Sequence, residues 1–226
     1  IKIYVDEAGK KKITVLDNGK GINKKYLEIA AERHATSKLP KKKLFGIKTL
    51  GFRGEALYAI ASTSILTIIS RDKEMETARK IKIIENKVIE NIPAKGARGT
   101  KIIVSDLFRN MPVRKKFLKS DRSEIFSIRE KIKHISISFP HVNFSYYEDN
   151  KLKYNFLCSE NQSSQTDRII NILGKSFIDS SFKIGISTSD FKIDGYLSIP
   201  TFNKSNWNDS TIIINNRVVK DRLLLG

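Results

Sequence analysis

The chain has 226 residues, 40% hydrophobic and 29% charged, a balance that fits a folded globular protein and excludes a disordered one. It contains no apolar run near the roughly 18 residues that a membrane helix needs, so no membrane partner is expected. The 42 basic residues outnumber the 24 acidic ones and leave a net charge of +18, which favours nucleic acid or another anionic partner through counterion release. An abundance of Lys, Ile and Asn is also what an AT-rich genome produces, so charge alone does not decide for DNA. The single Cys158 excludes an intrachain disulfide and is compatible with a reducing compartment.

In chain order, residues 1–5 and 12–16 alternate as two strands, joined by a hairpin turn at Glu7-Ala8-Gly9-Lys10. The first strand starts without an initiator Met or a signal-peptide pattern, so the chain is expected to have residues upstream. Asp17-Asn18-Gly19-Lys20-Gly21-Ile22 breaks the alternation, and Asn23 suits the N-cap of a helix over residues 24–33. Residues 35–50 are polar, Lys-rich and interrupted by Pro40 and Gly46, the composition of a long functional loop. A helix follows Gly54, then strands are predicted over residues 64–71, 78–84, 87–92 and 100–106. Pro112 opens a short basic helix, and apolar spacing predicts a longer one over residues 123–138. Strands over 142–148 and 151–157 pair around Asp149-Asn150. The polar stretch 159–165 is the best linker, which divides the chain into domains 1–158 and 159–226. Beyond it come a helix over 166–173 and strands over 182–187, 191–198 and 210–214. About 65 residues are few for a separate core, so the second domain is expected to be cut short.

Four segments could carry chemistry. The carboxylate of Asp17 can accept a hydrogen bond from an exocyclic amine such as that of adenine, while Gly19 and Gly21 leave room for a flat ring; a plain tight turn uses the same residues. Arg33, Thr36, Ser37 and Lys38 offer cations and hydroxyls suited to phosphate oxygens, or simply a solvated helix end. Gly51-Phe52-Arg53-Gly54-Glu55-Ala56-Leu57 places glycines before an apolar helix, where free N–H groups and the helix dipole attract anions. The same pattern also serves as a turn into a core helix. Thr100, after Gly99 at a strand start, could reach a ligand or merely favour β structure. His34 reads as structural, and no zinc spacing and no Ser-His-Asp arrangement is present.

Together these segments closely resemble the N-terminal ATPase region of the MutL family of DNA mismatch repair proteins, a branch of the Bergerat-type (GHKL) ATPases shared with type II topoisomerases and histidine kinases. The residues 51–57 match the family signature throughout, and Asp17–Ile22 match the superfamily's adenine motif. Ala35-Thr36-Ser37-Lys38, the block from Asn110 to Leu118, and Asn215-Asn216-Arg217 also match, so the resemblance covers essentially the whole chain. It implies an α+β fold: a Bergerat-type α/β sandwich with a mixed, mostly antiparallel sheet and helices on one face, then part of a ribosomal-protein-S5-like α/β domain.

The resemblance further implies ATP and Mg2+ as cofactors. Asp17 would bind the adenine amine, with Thr100 helping through water and Gly19, Gly21 and Ile22 around the ring. Arg33, Thr36, Ser37 and Lys38, with Leu50, Gly51, Phe52, Arg53, Gly54, Glu55, Ala56 and Leu57, would surround the phosphates, and residues 38–48 would form a lid. Arg114, Lys115, Lys116 and Arg217 would meet DNA. The general base and the magnesium ligand are expected upstream of Ile1, and a phosphate-binding lysine after Gly226, so the segment alone should turn over ATP poorly. Implied partners are DNA, a MutS-type mismatch-recognition protein, and a second copy or a paralogue joined on ATP binding. Localisation would be cytoplasmic and nucleoid-associated in a bacterium, or nuclear in a eukaryote. Two other readings remain at this stage: a topoisomerase-like Bergerat ATPase and a nucleotide-independent DNA-binding scaffold.

Overall fold

A computed structural model describes residues 1–33, 35, 53–158, 164–202 and 210–219. The chain divides into two compact units, Ile1–Arg129 with Phe144–Asn155, and Glu130–Asn143 with Phe156–Gly226. Of the linker expected over residues 159–165, residues 159–163 lie outside the described residues, while Ser164 and Gln165 already belong to the helix Ser164–Leu173.

The first unit is built on eight strands: β1 (Lys2–Asp6), β2 (Lys12–Asp17), β3 (Ile65–Arg71), β4 (Ala78–Ile84), β5 (Lys87–Ala94), β6 (Gly99–Ser105), β7 (Phe144–Glu148) and β8 (Lys151–Phe156). They form one sheet in the order β5-β4-β3-β6-β2-β1-β7-β8. The β1–β7 pair is parallel, while β1–β2, β2–β6, β3–β6, β3–β4 and β4–β5 are antiparallel, so the sheet is mixed and mostly antiparallel as expected. Two hairpins close through two consecutive positive-φ residues, Glu85-Asn86 and Asp149-Asn150, the geometry whose twist matches that of paired strands.

Helices α1 (Lys24–Leu27), α2 (Ala56–Thr63), α3 (Pro112–Lys116) and α4 (Asp121–Ser138) follow the predicted positions with one difference. The helix expected over residues 24–33 stops at Leu27 and resumes as a tighter 3-10 turn, Ile29–Ala31. Leu27 and Ala31 are both buried, so the i, i+4 apolar stripe survives while the hydrogen bonds tighten. Asn23 caps α1 as predicted, its side chain accepting from Lys25 N–H at 3.1 Å.

The core lies where α1, the 3-10 turn and α2 cover β3, β4 and β6. Leu27, Ala31, Ala61, Leu66, Ile68, Ile81 and Ile83 are buried together, with Ile22, Leu57, Ile60, Ile102 and Val104 packed against them. Each such large aliphatic side chain contributes about 1.5–3 kcal/mol by leaving water. Register places Leu66 opposite Ile83 and Val104, and Ile68 opposite Ile81 and Ile102, so the strands present one continuous apolar face to the helices.

The first-unit part of α4 ends at Arg129. Arg129 forks onto Glu148 of β7, with Nε and Nη2 each 2.6 Å from a carboxylate oxygen. The Arg129 guanidinium holds the Glu148 carboxyl below its ordinary value of 4.5. A depressed carboxylate pKa adds stability that is fully present above about pH 4.5 and is lost as pH falls through the folded-state value. Glu148→Gln should therefore cost about 2 kcal/mol at neutral pH, less than a fully buried pair because the Arg129 side chain is 37% exposed. Urea midpoints at pH 7 and pH 3.5 check this: the gap between wild type and variant should narrow at the lower pH, and a pH-independent gap would discard the linkage.

The second unit contains the rest of α4, α5 (Ser164–Leu173), α6 (Lys175–Asp179), the antiparallel ribbon β9 (Ser181–Ser187) with β10 (Lys192–Ser198), and the hairpin β11 (Ile212–Ile214) with β12 (Arg217–Val219). Its anchor is Arg168 on α5, 1% exposed, whose guanidinium donates to the carbonyls of Ser136, Pro140, Val142 and Leu157 at 2.9–3.3 Å. The first three of those carbonyls end α4 and line the turn after it, and the fourth directly follows β8, so one cation satisfies acceptors from two places where the chain leaves regular structure.

Candidate nucleotide site

The apolar face of the sheet ends in a polar row. Antiparallel register puts Asp17 of β2 opposite Thr100 of β6, and Thr100 opposite Ser70 of β3. Residues directly opposite share a face, so all three point to the side carrying the helices, one step beyond the row made by Val15, Ile102 and Ile68. Asp17 Oδ1 accepts the Gly19 N–H at 2.8 Å, a local turn that fixes the carboxylate at the strand end.

Ser70 ties the neighbouring pieces together. Its Oγ accepts the Ile22 N–H at 2.8 Å, donates to the Gly99 carbonyl at 3.0 Å, and lies 3.0 Å from Thr100 Oγ1. Ser70 is 1% exposed and Thr100 8% exposed. Two glycines make the convergence possible. Gly21 has φ +77°, and a Cβ there would lie 2.1 Å from the Arg71 carbonyl oxygen; Gly99 has φ +125°, and its Cβ would lie 2.1 Å from the Asp17 carbonyl oxygen. Glycine at these positions is thus demanded by backbone packing alone, a reason beyond room for a ring.

Ile22, Leu57 and Ile60 pack on the same core, which brings the turn after β2 and the start of α2 to one side of the sheet. Gly54 has φ +66° and precedes α2, and Glu55 at the N-cap makes no side-chain capping bond to the helix. Arg53 is exposed, as is Arg33 beyond the 3-10 turn. Thr36, Ser37, Lys38, Leu50, Gly51 and Phe52, and the expected lid, lie outside the described residues. Arg114, Lys115 and Lys116 are exposed on α3 in the first unit, and Arg217 is exposed at the start of β12 in the second. Ser70 escaped the sequence reading. Its only signal is a hydroxyl where the Leu66-x-Ile68-x pattern calls for a third aliphatic residue.

Comparison with known proteins bears on the family and the fold. The chain is 43% identical over 229 aligned positions to the DNA mismatch repair protein MutL of Rickettsia prowazekii, covering 99% of this chain and 38% of that protein. This is a MutL-family segment. The family model described as "DNA mismatch repair protein, C-terminal domain" matches residues 169–226 of it. In structure, the segment resembles the Aquifex aeolicus MutL ATPase domain complexed with ADP, with TM-score 0.75, 21% identity, and coverage of 99% of this chain and 76% of that one. It also resembles the N-terminal domain of a DNA repair protein, with TM-score 0.77, 25% identity, and coverage of 97% and 68%. The fold is that of MutL ATPase domains. The segment spans 37–38% of the length of the curated MutL proteins it matches. Among the described residues no helix is long and apolar enough to cross a membrane.

Proposed function

We propose that this MutL-family segment binds an adenine nucleotide, as part of a DNA mismatch repair protein in which ATP gates pairing of N-terminal regions, engagement of DNA and recruitment of a MutS-type partner. The observation that carries the reading is the polar row Asp17–Thr100–Ser70, closing an otherwise apolar sheet face beside the start of α2. In this reading Asp17 accepts the adenine amine, and Thr100 supports the same edge of the base. The α2 start offers backbone N–H groups to phosphate together with Arg33, Arg53 and the signature around them. The Aquifex aeolicus relative is complexed with ADP, and that supports the ligand class.

Hydrolysis is proposed for the whole protein. Among the described residues no group of three His, Cys, Asp or Glu stands ready to hold a metal. The resemblance assigns the magnesium ligand and general base to residues upstream of those in this sequence. A missing general base lowers a rate by roughly 10²–10⁴-fold, so the segment alone should bind nucleotide and turn it over very slowly. Arg114, Lys115, Lys116 and Arg217 supply positive charge for the DNA backbone, and residues 1–158 and 159–226 are proposed as the two domains. A bacterial cytoplasmic, DNA-associated location accords with the Rickettsia relatives.

Calorimetric titration with a non-hydrolysable ATP analogue and magnesium tests the reading, on this segment and on one extended about 40 residues upstream. An upstream helix and its lead-in fit that length at about 1.5 Å per helical residue. Binding that strengthens in the extended form, with turnover appearing only there, is the expected result. Absence of binding in both would discard it in favour of a nucleotide-independent DNA-binding scaffold.

A further inference from the structure

Only one placement of protons turns all three contacts of Ser70 into hydrogen bonds. The Gly99 carbonyl can only accept and the Ile22 N–H can only donate, while a serine hydroxyl has one proton and two lone pairs. Ser70 must therefore give its proton to Gly99 and receive one from Ile22. Its remaining lone pair is filled by the hydroxyl proton of Thr100, 3.0 Å away. Thr100 then has no proton left. Whatever meets the rest of its oxygen meets lone pairs alone.

We propose that Ser70 is a specificity-positioning residue: it consumes the proton of Thr100, so that Thr100 faces the ligand as an acceptor and the site favours a purine bearing an amino group over one bearing an oxo group on the edge beside Asp17. This rests on the nucleotide reading above and adds to it the direction of a hydrogen bond. Burial makes the direction count. Ser70 and Thr100 are both largely removed from water, where a mismatched donor and acceptor cannot be rescued by solvent. Both residues also sit in central strands of the sheet, so neither can swing away to re-form the pair elsewhere.

The test compares ADP with inosine diphosphate, which carries an oxo group in place of the amine, on the full-length protein containing this segment. Wild type should prefer ADP. Ser70→Ala frees the Thr100 proton to donate toward the oxo group, so the preference should narrow by about tenfold, the scale of one well-placed hydrogen bond. Ser70→Thr keeps the hydroxyl and should retain the preference. In a Thr100→Val background, Ser70→Ala should change the ratio no further, because the proton it releases is gone. Equal weakening of both nucleotides by Ser70→Ala, with the ratio unchanged, would reduce Ser70 to a structural tie and overturn the proposal while leaving the site intact. A further narrowing in the Thr100→Val background would also overturn it. Wild type binding neither nucleotide would remove the site itself, and the proposal with it.

Discussion

Gly21→Ala is expected to destabilise the first unit by about 3 kcal/mol or more, on the scale of a clash combined with backbone strain. Two independent costs add at this position. An L-residue at φ +77° is strained whatever surrounds it, and the new Cβ would stand 2.1 Å from the Arg71 carbonyl oxygen, 2.5 Å from its carbon and 2.8 Å from the Asp72 nitrogen. Those neighbours are backbone at the end of a central strand, so relief requires the turn to move. Movement of the turn would pull Ile22 N–H off Ser70 and leave a buried hydroxyl short of a donor. Gly195→Ala is the control: its Cβ would meet nothing within 4 Å, and the change should fall within about 0.5 kcal/mol. Urea denaturation of both variants decides the matter. A Gly21→Ala variant as stable as Gly195→Ala would mean that the turn after β2 adapts freely, and the rigid convergence of Gly21, Ser70 and Gly99 would have to be abandoned.

Asp17→Asn should leave the fold intact and cost the protein most of its nucleotide affinity. The new amide can still present an oxygen to Gly19 N–H, so the turn that positions the side chain survives. Lost are the negative charge and the acceptor-only character: one oxygen becomes an NH2 group facing the amine it should receive. Hydrogen bonds to a charged group are worth about 1.5–3 kcal/mol, so the Kd for ADP should rise roughly 10- to 150-fold while thermal stability changes little. Binding calorimetry beside a melting curve separates the two effects. Unchanged affinity would mean that Asp17 is a turn residue only, the plainer alternative its Asp-Asn-Gly context always allowed. The Ser70 variants are expected to act differently, altering the choice between bases more than the overall affinity.

Much of this protein can be read from its sequence because much of it is local. Strand alternation is a property of consecutive residues, and it located the eight strands of the sheet to within a few positions. Asn23 as a cap, Pro112 at a helix start and Asp149-Asn150 at a hairpin follow from the backbone preferences of those residues, and the structure has each in that place. The likeness to the MutL family was also legible, since a seven-residue signature around Gly54 matched throughout survives without any knowledge of contacts. Short elements were harder. Helix α6 spans five residues, too few to show a period, and the 3-10 turn at Ile29–Ala31 keeps the same apolar stripe as the helix expected there.

Only the tertiary structure decided which residues stand side by side. The order β5-β4-β3-β6-β2-β1-β7-β8 brings strands far apart in sequence into contact, and pairing β1 with β7 in parallel depends on the path of everything between them. Register then assembled the row Asp17–Thr100–Ser70 from three strands, because a shift of one residue in any pair would turn a member to the opposite face. Asp17 and Thr100 could be suspected from their motifs. Ser70 could not, since a serine in an apolar strand becomes informative only when its three partners are known. The glycines divide the same way: their turn-forming nature is written in the residue type, but the need for glycine at 21 and 99 comes from carbonyl oxygens supplied by Arg71 and Asp17 across the sheet.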